Sequence, residues 1–171
     1  LAYLAANNLS AAGGLLCVAL VALALASPVL APRDPLEQSF LAANQGPSEE
    51  YWLGTDAFGR DVLSRVLVGA RVSLAIGICA PLLSALFGVW FGMAAGYLGG
   101  WADRLISRGS DLLMSFPSLL LGVMIAAALG PSFHSAVIAI AVALFPRFVR
   151  LARSATMVLR REPFIDASIA A

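Results

Sequence analysis

Apolar residues fall into long runs separated by short polar stretches. Leu9 to Ala31 is the first run, closed by Pro28, Pro32 and Pro35. Val72 to Ala95 is uncharged throughout and forms the second, with Pro81 inside it. Leu112 to Leu129 is the third, with Pro117 near its start. Pro131 to Leu151 is the fourth, following a Gly130-Pro131 turn. A helix needs about 20 apolar residues to cross a bilayer. The pattern therefore predicts four spans in an all-α, polytopic transmembrane helical bundle.

The polar stretches orient those spans. Residues 33–56 carry Arg33 but also Asp34, Glu37, Glu49, Glu50 and Asp56. An acidic loop belongs on the outer side by the positive-inside rule. Gly54-Thr55-Asp56 reads as a turn and helix N-cap. After it, Val62, Leu63, Val66, Leu67 and Ala70 share one helical face, and Arg60, Asp61, Ser64, Arg65, Val68 and Arg71 the other. Asp61 and Arg65 are spaced as an i,i+4 pair. This predicts an amphipathic helix lying on the membrane surface and leading into the second span. Residues 96–111 form a short loop with Tyr97 and Trp101 suited to the interface, and with Arg104 and Arg108 balanced by Asp103 and Asp111. The C-terminal stretch, Arg147 to Ala171, holds five of the eleven basic residues and should lie inside.

Composition agrees. Hydrophobic residues make up 60% of the 171, charged residues 12%, and mean hydropathy is +0.88. A soluble domain is nearer a quarter charged. The net charge of +1 gives no reason to expect nucleic acid. Every basic residue is arginine. Cys17 and Cys79 sit within apolar runs and read as small packing residues. The chain begins at Leu1, and residues 1–32 lack the basic start of a signal peptide, so a spanning helix is expected there.

Catalytic chemistry is not visible. His134 is the one histidine, placed in a turn, and a zinc site has no ligand set. There is no Walker sequence, so ATP binding by this chain is not expected, and neither is any cofactor. No acid or base lies deep in a span, which weighs against a proton relay. Gly88, Gly92 and Gly96 recur every fourth residue in the second span, the spacing that lets membrane helices approach closely. The tail admits two readings: a basic anchor at the edge of the membrane, or a docking element for a cytoplasmic partner.

Three stretches, GTDAFGRDVLSRVLVGARVSL, GYLGGWADRLISRGSDLLMSFPSLLLG and FPRFVRLARS, resemble the permease subunits of bacterial ABC importers for dipeptides, oligopeptides and nickel. The likeness is to the C-type permease of the pair and runs in order from about Ala31 onward. That family carries a cytoplasmic Glu-Ala-Ala signature, a three-residue spacer and a glycine. Asp166, Ala167 and Ser168 match its first positions, and Ile169, Ala170 and Ala171 fill the spacer. The resemblance implies a type I importer permease with about four of six spans present, cut within the ATPase-docking loop. It divides the chain into an N-terminal segment, 1–59, and a permease domain, 60–171. It further implies a second permease subunit, two cytoplasmic ATPase subunits, a periplasmic or lipid-anchored substrate-binding protein, and surrounding membrane lipid. ATP hydrolysis would then lie in a partner. Gly54, Thr55, Asp56, Gly59, Arg60, Asp61 and Arg65 are expected to shape the outer mouth. A secondary transporter or channel, the alternative, calls for an intramembrane charge or polar cluster that the spans lack. A purely structural membrane subunit calls for no coupling to nucleotide.

Overall fold

The computed structural model describes residues 8–160 and residue 162. They form five α-helices, one 3-10 turn and a single isolated bridge between Thr55 and Asp61. The helices are α1 (Asn8–Leu30), α2 (Val62–Leu98), α3 (Gly100–Met114), α4 (Ser118–Leu129) and α5 (Phe133–Leu159). Three of them, α1, α2 and α5, are long and apolar enough to cross a membrane, and the bent pair α3–α4 makes four if counted as one span. Two compact units divide the chain, Leu1–Ala75 and Ile76–Ala171.

In the first unit, α1 matches the first apolar run, but Pro28 lies inside the helix rather than closing it. Proline has no N–H to give the carbonyl four residues back. Here that carbonyl, on Ala24, accepts instead from the Ser27 hydroxyl at 2.8 Å. Both residues are buried, so the substitute bond keeps the helix whole where water cannot.

The expected surface helix before the second span is absent as a separate element. Residues 62–71 are the opening turns of α2, which runs 37 residues. At about 1.5 Å per residue it is some 55 Å long, well beyond the ~30 Å hydrocarbon layer. Its arginine-bearing start, Arg65 and Arg71, therefore belongs outside that layer.

The second unit corrects the third span. Leu112, Leu113 and Met114 belong to α3, and α4 starts only at Ser118. The two helices bend by 91°. Pro117 is the cause: it cannot donate to a helix, and it drives Phe116 out of helical geometry. With 12 residues, α4 is about 18 Å long, too short to span alone. α5 is longer than the fourth apolar run. It starts at a cap in which Ser132 accepts from the Ser135 N–H at 3.0 Å, and it continues through Arg147, Arg150 and Arg153 to Leu159. His134 thus sits in its first turn rather than in a loop. The packed centre joins Ala80 of α2 to Val137 and Ala141 of α5, with Ile76 and Leu83 against them. Phe91 and Phe145 meet edge to face at 5.8 Å. Much of the remaining apolar surface, including Leu82, Leu119 and Val123, faces outward, as expected for helices bathed in lipid or partner spans.

Candidate functional site

The loop before α2 is a compact hydrogen-bonded module. Thr55 is buried and holds it at the centre. Its hydroxyl donates to the Ala42 carbonyl and accepts from the Gln45 N–H at 2.9 Å. Asp56 closes the next turn, its Oδ1 accepting from the N–H groups of Phe58 (2.9 Å) and Arg60 (3.1 Å). Its Oδ2 takes the Arg60 guanidinium at 2.8 Å and that of Arg65. Burial pushes the Asp56 carboxyl up, but these backbone and guanidinium hydrogen bonds together outweigh it and hold it at about 2. It stays charged at any working pH. Gly54 and Gly59 have φ of +74° and +70°, and a Cβ on either would strike a backbone carbonyl, of Gln45 and Ser39 respectively.

Asp61 has a different role from the one its spacing suggests. It does not pair with Arg65, which reaches Asp56 instead. Asp61 is 4% exposed and caps α2, accepting from the Ser64 N–H at 2.8 Å and the Ser64 hydroxyl at 2.6 Å. Ser64 in turn accepts from the backbone N–H of Arg33 at 3.1 Å. The Arg33 side chain stacks over Tyr51 and pairs with Glu50 at 2.9 Å. The cap is thus Asp61, five residues beyond the expected Asp56, and the buried line on this turn is Asp61, Ser64 and Leu67. Asp61→Ala should remove the cap and strand the Ser64 hydroxyl, at about 1–3 kcal/mol. The expected result is a lower thermal midpoint and faster proteolysis within 33–59, with Asp61→Asn close to the parent. An unchanged digestion pattern for Asp61→Ala would show that the cap does not organise the loop.

The glycine row faces α5. A Cβ on Gly88 would lie 2.6 Å from the Phe148 Cβ. On Gly92 it would lie 2.5 Å from the Val149 carbonyl oxygen and 2.7 Å from the Ala152 Cβ, and on Gly96 2.8 Å from the Arg153 carbonyl oxygen. All three glycines are buried. Backbone meets backbone along this seam, as small-residue rows permit.

Just past it, two ion pairs join α3 to α5. Arg153 grips Asp103 with two nitrogens, one at 2.7 Å, and Arg150 reaches Asp111 at 2.7 Å. These partners replace the expected balance of Asp103 and Asp111 with Arg104 and Arg108; Arg104 instead donates to the Gly100 carbonyl. Arg160, after the helix, lies over the Tyr97 ring. Both sets of charges are visible in the sequence but their pairing is not, because the partners are 39 and 50 positions apart. The docking residues Asp166 to Ala171 lie outside the described residues.

Residues 88–171 match the family described as binding-protein-dependent transport system inner membrane component. They include the glycine row, the two ion pairs and the tail. The chain is similar to the dipeptide transport system permease protein DppC of Alkalihalophilus pseudofirmus, 43% identical over 162 residues, 95% of this chain and 53% of that protein. It is also similar to the glutathione transport system permease protein GsiD of Pectobacterium atrosepticum, 39% identical over 163 residues, 95% of this chain and 54% of that protein. The same protein of Escherichia coli O6:K15:H31 matches at 39% over 163 residues, 95% of this chain and 54% of that protein. The chain spans about half the length of these curated relatives. The likeness to these permeases therefore extends through both units, and the three to four apolar helices fit a multi-pass protein of the inner membrane.

Proposed function

We propose that the chain is the membrane-spanning part of an ATP-driven importer of short peptides, with residues 60–171 as its permease portion. A separate ATPase would dock near Asp166, and a second permease subunit would complete the path. A binding protein would deliver the cargo to the mouth shaped by residues 54–65. The dipeptide and glutathione names of the similar permeases favour peptide cargo over nickel.

One observation carries the coupling mechanism: α5 is unbroken from Phe133 to Leu159 and tied to α3 by Arg153–Asp103 and Arg150–Asp111. A push on the residues after α5 would move both helices together, as rigid-body coupling requires. In the assembled importer, Arg153→Asp should cut substrate-stimulated ATP hydrolysis several-fold, and adding Asp103→Arg should restore much of it. The pair is partly exposed, so its worth lies in holding geometry more than in stability. Equal stimulation in all three proteins would overturn the clamp.

Sidedness has its own test. With Cys17 and Cys79 changed to alanine, cysteines at Ser48 and Ser168 should react with an impermeant thiol reagent from opposite faces. Labelling of both from one face would contradict the arrangement.

A further inference from the structure

We propose that the cavity between α3 and α5 holds the phosphate group of an anionic phospholipid. The cavity measures about 310 Å³ and is lined by Ser107, Ser110, Asp111, Val149, Arg150 and Arg153. Ser110 is 2% exposed, and its hydroxyl has no hydrogen-bond partner among the described residues. A buried hydroxyl without a partner costs free energy, and a ligand oxygen in the cavity supplies what it lacks.

Charge favours an anion. Arg150 uses one nitrogen on Asp111 and Arg153 two on Asp103, and each guanidinium keeps further N–H donors. From Gly100 to Met114 and from Phe133 to Arg160 there are six arginines and two aspartates. Asp111 alone on the lining opposes an anion, and Arg150 already holds its carboxylate.

Depth favours a lipid over a free ion. Residues 136–146 of α5 are uncharged, and Arg147, Arg150 and Arg153 follow directly. The cavity therefore opens where hydrocarbon gives way to headgroups. Basic pockets between helices at that level suit anionic headgroups, each arginine adding about fivefold to affinity. The phosphodiester would accept from Arg150, Arg153 and the Ser110 hydroxyl, while its acyl chains run along the apolar surface beside α4 and α5.

The test uses the full chain in nanodiscs of phosphatidylcholine alone or mixed with phosphatidylglycerol, followed by detergent extraction and native mass spectrometry. Phosphatidylglycerol should remain bound in preference to phosphatidylcholine and should raise the thermal midpoint. Arg150→Gln should weaken retention about fivefold, and Ser110→Leu, which fills the cavity, should abolish it. Arg150→Gln alters only an exposed pair, so it remains informative if Ser110→Leu does not fold. Equal retention of both lipids, or undiminished phosphatidylglycerol binding by Arg150→Gln, would overturn the proposal. Stabilisation by inorganic phosphate in phosphatidylcholine discs, equal to that by phosphatidylglycerol, would assign the site to a free anion and overturn the lipid.

Discussion

Gly92→Leu is expected to separate α2 from α5 and abolish transport by the assembled importer. The position leaves no room for even one carbon, since a Cβ would meet the Val149 carbonyl and the Ala152 Cβ at once. One of those obstacles is backbone, which cannot rotate away as a flexible side chain can. Overpacking in a tight interior costs roughly 1–3 kcal/mol, and a branched side chain pushed against a helix backbone should reach or exceed the top of that range. Gly92→Ala should fall between the parent and Gly92→Leu. Gly77 supplies the control: it lies on the same helix with nothing within 4 Å of its Cβ position, so Gly77→Leu should leave the fold intact. Trp90, two residues from Gly92, offers a fluorescence signal for thermal unfolding. A Gly92→Leu protein that unfolds at the parent's temperature would remove the glycine row from any account of this fold.

The contrast between those two glycines shows what the sequence conveys and what it withholds. The four-residue spacing of Gly88, Gly92 and Gly96 suggests a close approach, but spacing cannot say which helix approaches. Phe148, Ala152 and Thr156 answer with the complementary face of α5. Span positions were legible because hydrocarbon imposes a composition: α1 departs from its expected limits by one residue at each end. Where backbone geometry overrides composition, the pattern misled. Residues 112–129 are apolar throughout except at Ser115 and Ser118, yet Pro117 breaks them into two directions. Pro28 shows the opposite outcome, a proline that a neighbouring serine makes harmless. Charges were visible while their partners were not. Asp61 looked like half of a surface pair, whereas burial and a helix start one residue later make it a cap. Asp103 found its arginine 50 positions away, beyond the whole of α4 and the breaks at either end of it, a distance no local rule reaches.

Asp166→Arg should uncouple the ATPase while leaving the membrane helices folded. The expectation rests on the resemblance of Asp166, Ala167 and Ser168 to a docking signature, and on what precedes them. α5 ends at Leu159, seven residues short of Asp166, after a stretch clamped to α3 by Arg150 and Arg153. A carboxylate at position 166 would meet helix N-terminal amides or an arginine of the ATPase. Reversing its charge places two like charges together, and a cost of a few kcal/mol weakens docking by about 100-fold. Asp166→Glu keeps the charge and restores the residue usual in the resembling family, so it should couple normally. Co-purification with the ATPase and substrate-stimulated ATP hydrolysis measure the two consequences, and tryptophan-detected unfolding checks that the helices are intact. The neighbouring arginines sharpen the reading, because a tail that merely anchors to anionic lipid would gain from an added positive charge. Normal hydrolysis and undiminished co-purification in Asp166→Arg would therefore identify the tail as an anchor, and the ATPase would have to grip the permease elsewhere.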